Sequence, residues 1–157
     1  MSSSPLPDEA GQDPDHFYMQ QALREARKAL EAGEVPVGAV IVMQNRIIAK
    51  ACNQVETLSD CTAHAEMLAL TSAFGYLGSK YLMEASIYIT LEPCVMCAGA
   101  LYWSKIGRIV YAAQDEQHGY RSIHPGRSPF HPKTVVEQGP CSEESLQLIR
   151  DFFAARR

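Results

Sequence analysis

Two short groups of reactive side chains constrain this chain more than anything else in it. They are Cys61-Thr62-Ala63-His64-Ala65-Glu66 and Leu91-Glu92-Pro93-Cys94-Val95-Met96-Cys97, and the fold must bring them together. Cys94 and Cys97 lie three apart, so on a helix they share a face and can share a metal ion. His64, Cys94 and Cys97 are zinc ligands by type, and three protein ligands leave a tetrahedral zinc one open position, as a hydrolytic zinc needs. Glu66, if not a ligand, can take a proton from water and pass it to a leaving group. Each part has a plainer reading when taken alone. His64 could be a core or helix-cap histidine, Glu66 a solvated helical acid, and Cys94 with Cys97 half of a structural zinc site or a redox pair. A structural site wants four protein ligands, however, and no second Cys-x-x-Cys or His pair is present. Cys52, Cys61 and Cys141 are scattered and read as small buried apolar residues. Cys61 is also near enough to His64 in sequence to serve as a fourth ligand. The joint occurrence of the four residues favours a catalytic site.

A length of 157 residues suits one domain, here expected over 13–157, and permits a sizeable buried core. The formal charge of -4 gives no global reason to expect nucleic acid. Its placement is uneven. Residues 1–12 are rich in Ser, Pro, Gly and acids and read as a disordered acidic tail. Between Gln117 and Val136 there are no acids, only Arg121, Arg127, Lys133 and three histidines, which is either a solvated loop or a local anion-binding surface. Five cysteines, with no secretory signal at the N-terminus, point to a reducing cytoplasm, where Cys-x-x-Cys means metal or redox chemistry. No apolar stretch approaches the roughly 20 residues that would span a bilayer, so no membrane partner is expected.

Local patterns predict the elements. Asp13-Pro14 is a helix start, an N-cap acceptor followed by proline at the first helical position. Met19, Ala22, Leu23, Ala26 and Leu30 then recur at helical spacing, with Arg24, Glu25 and Lys28 facing out and Gly33 just past the end. Residues 35–43 form an apolar run expected to be a strand covered on both faces. Gln44-Asn45 is a hairpin turn leading into a second strand over 46–53, and 54–61 is a polar loop. A helix is expected from near Thr62 to about Phe74, ended by Gly75 and Gly78. Strands are expected over 86–90, 108–112 and 134–136. A helix with Pro93 in its first turn carries Cys94 to Trp103, and residues 114–132 are a long loop. A closing helix from Ser142 places Leu146, Ile149, Phe152 and Phe153 on its apolar side. The order of elements argues for α/β with a mixed sheet covered on both faces.

At these residues the chain resembles the cytidine deaminase superfamily, and within it the bacterial tRNA-specific adenosine deaminases. The resemblance runs from about Phe17 to Arg157. It includes Glu34-Val35-Pro36-Val37-Gly38-Ala39-Val40, Asn53, the two groups above, Ile106-Gly107-Arg108-Ile109-Val110, Ala113-x-Asp115 and Asp151-Phe152-Phe153-Ala154-Ala155-Arg156-Arg157. It implies a three-layer α/β/α fold around a five-stranded mixed sheet. The implied reaction is hydrolytic conversion of adenosine to inosine at the wobble position of a tRNA anticodon loop. A homodimer would carry it out with one zinc per subunit and no organic cofactor. His64, Cys94 and Cys97 would hold the zinc and Glu66 would shuttle protons. Asn53 would contact the flipped nucleotide, although by itself it reads as a strand-end turn residue. Val37, Ala65, Leu91, Glu92 and Pro93 would line the pocket, and Asp115 would lie near the substrate backbone. Arg121, Arg127, Lys133, Phe152, Arg156 and Arg157 are candidate RNA contacts, with core packing and helix-dipole pairing as the plainer readings of Phe152 and the two C-terminal arginines.

One segment departs from the family. After Asp115 its members commonly continue with Lys-x-Gly and small residues, whereas this chain reads Glu116-Gln117-His118-Gly119-Tyr120-Arg121-Ser122. Tyr102-Trp103 is similar to an aromatic pair of guanine deaminases. A free nucleobase or nucleoside deaminase of the same fold is therefore the alternative, and a non-catalytic zinc-stabilised partner subunit a third reading.

Overall fold

In a computed structural model, which describes residues 13–123 and 125–156, the first helix starts where its sequence directs. The Asp13 carboxylate accepts a hydrogen bond from the Asp15 amide at 3.1 Å, and Pro14 opens α1 (Pro14–Glu31). Then follow β1 (Gly38–Met43), β2 (Arg46–Cys52), α2 (Val55–Leu58), α3 (Ala65–Leu77), β3 (Ser86–Leu91), α4 (Val95–Ser104), β4 (Arg108–Ala113), α5 (Tyr120–Ile123), β5 (Val135–Gln138) and α6 (Ser142–Ala154). Five strands form one mixed sheet in the order β2-β1-β3-β4-β5. β1 runs antiparallel to both neighbours, while β3, β4 and β5 are parallel. The expected α/β/α layering is what forms. Among the described residues, no helix is long and apolar enough to cross a membrane.

Strand periodicity divides the core into two halves. Ala39, Ile41, Ile87, Ile89 and Ile109 face the layer of α3 and α4, where they meet Leu70 and Leu101. Val40, Val42, Tyr88, Val110 and Ala112 face the other way, against Phe17, Tyr18, Met19 and Ala22 of α1. α6 lies beside α1 on that second face. Gly38 permits this approach, because a Cβ there would overlap the Ala22 carbonyl and the Ala26 amide of α1. The Gln44-Asn45 turn forms as expected, with both residues at positive φ (52° and 61°), the conformation of a tight two-residue hairpin.

Several boundaries differ from expectation, each for a local reason. β1 begins only at Gly38, because Pro36 and a Val37 amide to Val35 carbonyl bond at 2.9 Å turn the chain before it. α3 begins at Ala65 rather than near Thr62, whose amide and hydroxyl are both taken by Asp60 Oδ1 at 2.8 and 2.7 Å. The same helix passes through Gly75 and ends at Gly78, in the left-handed conformation at φ +63°. Pro93 precedes the cap of α4 instead of lying in its first turn. Both long loops contain a four-residue helix, α2 and α5. Glu25 is buried rather than outward, paired with Lys28 at 2.9 Å. Phe153 is half exposed, while Phe152 packs.

At the end of the sheet where β3 and β4 begin, Asp15 joins α1 to three strands. Its carboxylate accepts from Arg108 at 2.8 and 2.7 Å and from the Tyr88 hydroxyl at 2.7 Å, and Arg108 Nε donates to Glu137 at 2.9 Å. The Arg108 hydrogen bonds hold the Asp15 carboxyl below its ordinary 3.8, against burial that would raise it. Because the folded pKa is depressed, this contribution is full above about pH 4 and is lost as pH falls through the lower folded value. Asp15→Asn should therefore cost about 1–2 kcal/mol at pH 7, the usual worth of a charged hydrogen bond at a half-exposed site. Urea unfolding at pH 7 and stepwise below pH 4 should show the difference from wild type shrinking with acidification.

Candidate active site

His64 and Cys94 occupy equivalent positions in two different helices. Each is an N-cap with extended backbone, His64 at φ -70°, ψ 153° before α3 and Cys94 at φ -74°, ψ 175° before α4. An N-cap carbonyl already starts the helix while its side chain stays outside the helical cylinder, free to turn toward a neighbour. Cys97 follows in the first turn of α4 and is fully buried. His64 Nδ1 lies 3.6 Å from Cys94 Sγ and 3.5 Å from Cys97 Sγ, and the three donor atoms all lie within 4.8 Å of one another. Bonds of about 2.0 Å to nitrogen and 2.3 Å to sulfur at tetrahedral angles place those atoms roughly 3.6 Å apart. The donor set therefore fits zinc in both chemistry and spacing. Cys61, the candidate fourth ligand, is exposed and outside this cluster.

The charges around the cluster are uneven. A hydrogen bond from the Cys97 thiol and another from His64 pull Cys94 down to about 4, against its burial. Cys97 is pushed far up by that same bond to Cys94, and then by burial and the nearby Glu66. His64 is raised, chiefly by its hydrogen bond to Cys94. Both ligating segments also present helix amides, whose partial positive charge favours anions. Glu66, the second residue of α3, is buried, and this raises its carboxyl above the ordinary carboxylate range despite hydrogen bonds from its own amide and Cys97. It is not one of the three clustered donors.

These groups open on a cavity of about 480 Å³. Of the residues singled out in the sequence, His64, Glu66, Cys94, Val37, Asn53, Ala65, Leu91, Glu92, Asp115, Phe152 and Arg156 line it. The Asn53 amide is also structural: Nδ2 donates to the Val35 carbonyl at 3.2 Å and Oδ1 accepts from the Val55 amide at 3.2 Å. Pro93 lies behind the wall, where its carbonyl accepts from Tyr120 at 2.9 Å. Arg121 turns inward onto Glu92 at 3.0 Å. Arg127 is exposed in the loop before β5. Lys133 lines a separate hollow with Met83, Lys105 and Gly107, at the start of β4 and away from the cavity. Arg157 and the 1–12 tail lie outside the described residues.

The cavity also takes residues that sequence reasoning passed over: Glu34, Val35, Val55, Glu56, His118 and Phe153. Glu34 is the most informative. It is 1% exposed and accepts from the Glu56 amide at 2.9 Å, the Thr57 amide at 2.7 Å and the Thr57 hydroxyl at 2.6 Å. Burial would raise its pKa, but these bonds and the charge of Arg156 outweigh it, and the net shift is downward. A single acid before an apolar run carries no local sign that it will cap a helix formed later in the chain.

Donors spaced for zinc, with Glu66 of α3 buried next to them, point to the zinc deaminases as the class. Residues 12–113 accordingly match the cytidine and deoxycytidylate deaminase zinc-binding region. The tRNA-specific adenosine deaminase of Aquifex aeolicus is 52% identical over 146 residues, covering 90% of this chain and 95% of its own. A solved structure from studies of A-to-I editing by tRNA:A34 deaminases at the wobble position aligns with TM-score 0.78 and 39% identity, over 85% of this chain and 99% of its own. The guanine deaminase of Bacillus subtilis aligns with TM-score 0.63 and 31% identity, over 90% and 92%. The chain belongs to the tRNA-specific adenosine deaminases of this zinc-binding family.

Zinc is the cofactor of this family, and metal binding to a site absent from the unfolded chain contributes directly to folding free energy. Elemental analysis should find one zinc per chain. Removal by a strong chelator should lower the thermal midpoint, by about 2–4 °C for each 1 kcal/mol of folding free energy lost in a chain of this size. An unchanged midpoint after demonstrated metal loss would contradict the link to folding.

Proposed function

We propose that this protein hydrolyses adenosine to inosine at the wobble position of a tRNA anticodon loop. The observation that carries this reading is the buried Glu66 carboxylate facing the same cavity as His64 and Cys94, with Cys97 buried behind them. The kinship with tRNA-specific adenosine deaminases directs it to RNA. His64, Cys94 and Cys97 hold the zinc, which when bound supplies Lewis acidity and lowers the pKa of water. Glu66 accepts a proton from water as the water oxygen adds to the amidine carbon of the base, and delivers it to the exocyclic amine as the C–N bond breaks, so that ammonia departs. Burial makes the Glu66 carboxyl a stronger proton acceptor than an exposed one, which suits it to carry a proton between two steps.

Val37, Ala65, Leu91 and Asn53 enclose the base, with Pro93 backing the wall. Glu92 and Asp115 shape the rim, while Phe152 and Arg156 close it from the C-terminal helix. Arg156 donates to the Gly33 carbonyl and stacks over the Phe152 ring at 4.2 Å, so α6 is tied to the entrance of β1. The volume falls within the roughly 300–1,000 Å³ of small-molecule sites, which suits one nucleotide splayed out of a loop. A tRNA substrate supports the expected cytoplasmic location.

Incubation with anticodon stem-loop RNA, and separately with free guanine, cytosine and nucleosides, tests the substrate. Inosine should form in the RNA. Ammonia from a free base with no inosine in RNA would move the protein to the free-base reading. Glu66→Gln should keep the zinc and the fold while losing about 10²–10⁴-fold in turnover, the usual contribution of a general acid–base group. An unaffected variant would leave Glu66 without the proton role and favour the non-catalytic partner-subunit reading.

The homodimer finds support on the outer face of α4. Val95, Gly99, Tyr102 and Trp103 fall on one helical stripe, with Val95 and Tyr102 each 38% and Trp103 75% exposed. Open space lies beside Gly99, and Ile123 of α5 adds another exposed apolar side chain. Contiguous apolar patches of this kind mark interaction surfaces. Light scattering should give twice the chain mass for wild type and a large monomer fraction for Trp103→Glu. A monomeric wild type would dispose of the dimer.

A further inference from the structure

Residues 116–122, which follow Asp115, are tied down by many hydrogen bonds at the cavity mouth. Their anchor is Glu92, whose side chain is only 1% exposed. The Glu92 carboxylate accepts from the Asp115 amide at 3.3 Å, the Arg121 amide at 3.1 Å, and Arg121 Nε and Nη2 at 3.3 and 3.0 Å. Beneath it, the Pro93 carbonyl accepts from Tyr120 and the Asp115 carbonyl from Gly119, both at 2.9 Å. Asp115 Oδ1 closes the turn by accepting the Gln117 and His118 amides at 3.2 and 3.0 Å. Arg121 also lies over the Tyr111 ring, 5.6 Å from its centroid.

Two residues on this loop face the cavity, Asp115 and His118. Arg121 is not among those lining it. Its guanidinium instead compensates a buried carboxylate, which is strongly destabilising when left unpaired. Gly119 belongs to the same contact: a Cβ there would overlap both the Glu92 carboxylate and the Asp115 carbonyl. The loop can therefore reach Glu92 only if residue 119 has no side chain.

We propose that Arg121 is a positioning residue, which through Glu92 latches residues 115–119 so that Asp115 and His118 face the substrate, and that it makes no phosphate contact itself. The proposal rests on the RNA reading above for its activity readout. Its structural readout is independent of substrate.

Three variants test it: Arg121→Ala, Gly119→Ala and the charge-retaining Arg121→Lys. Gly119→Ala disturbs the latch without altering charge. Measured on anticodon stem-loop RNA, Arg121→Ala and Gly119→Ala should each raise KM about fivefold or more with kcat within about twofold, as expected when binding geometry rather than chemistry is lost. Arg121→Lys should recover little, because lysine lacks the planar fork. Zinc content should stay at the wild-type value. Amide hydrogen exchange at 115–122 in the RNA-free protein should speed up in all three variants. The slope of log Kd against log salt should match wild type. A slope reduced by about 0.7 in Arg121→Ala, the loss of one single-strand phosphate contact, would overturn the latch, as would an unchanged KM in Gly119→Ala. If wild type makes no inosine in RNA, the substrate reading fails and exchange alone decides: wild-type rates in Arg121→Ala and Arg121→Lys then overturn the latch.

Discussion

Everything at the site depends on one topological fact: β1 runs antiparallel to β3 while β4 runs parallel to it. The start of β1, the end of β2 and the ends of β3 and β4 therefore meet at one edge of the sheet. Gly38 pairs with Cys52, and Leu91 pairs with Ala113, so Val37, Asn53, Leu91 and Asp115 are neighbours although far apart in sequence. The two helices that carry the donors, α3 and α4, pack side by side on one face and both begin at this edge. Crossover connections that return to a parallel strand make such an edge the natural place for ligands in α/β folds. Without that arrangement the cysteines and the histidine would be three unrelated polar interruptions.

What could be read in the sequence was mostly what is decided locally. Asp13-Pro14 starts α1, Gln44-Asn45 turns the first hairpin, and the alternation of β1, β3 and β4 assigns the two core faces, each through contacts within a few residues. The donor set was legible because its chemistry is rare in combination. Misreadings fell where a distant partner intervenes. Glu25 has the spacing of an outward residue, yet Gly38 of β1 packs against its Cβ and buries it. Thr62 is a good cap by type, but Asp60 claims both of its donors first, and the chain turns through Cys61 and Thr62 before His64 takes the cap position. That delay moves His64 from inside a helical turn to the cap.

The long loop after Asp115 shows the same division. Its positive charges suggest one binding surface when counted along the sequence, but the fold disperses them. Arg121 is spent on Glu92, Lys133 sits near Gly107 at the start of β4, and Arg127 stays on the surface. Tyr120 and Phe130, in contact at 4.8 Å between ring centroids, pin the loop to the core at two points, and most of the described residues between them are exposed. Charge patterning reports composition, not direction, and no one-dimensional count could have shown that Arg121 pairs with Glu92.

Three buried glutamates around one cavity then show how the surroundings divide labour among identical side chains. Glu34, 1% exposed, takes three hydrogen bonds from the start of α2, and its carboxyl is held below the ordinary range. It is a fixed anion that builds a wall. Glu92, 3% exposed, takes two amides and a guanidinium, and organises the rim. Glu66, 4% exposed, is moved upward by burial, which outweighs the hydrogen bonds from its own amide and Cys97. Desolvation disfavours the charged carboxylate and so favours proton uptake. Of the three, only Glu66 stands beside His64, Cys94 and Cys97, and the upward move of its carboxyl suits the proton role proposed for it.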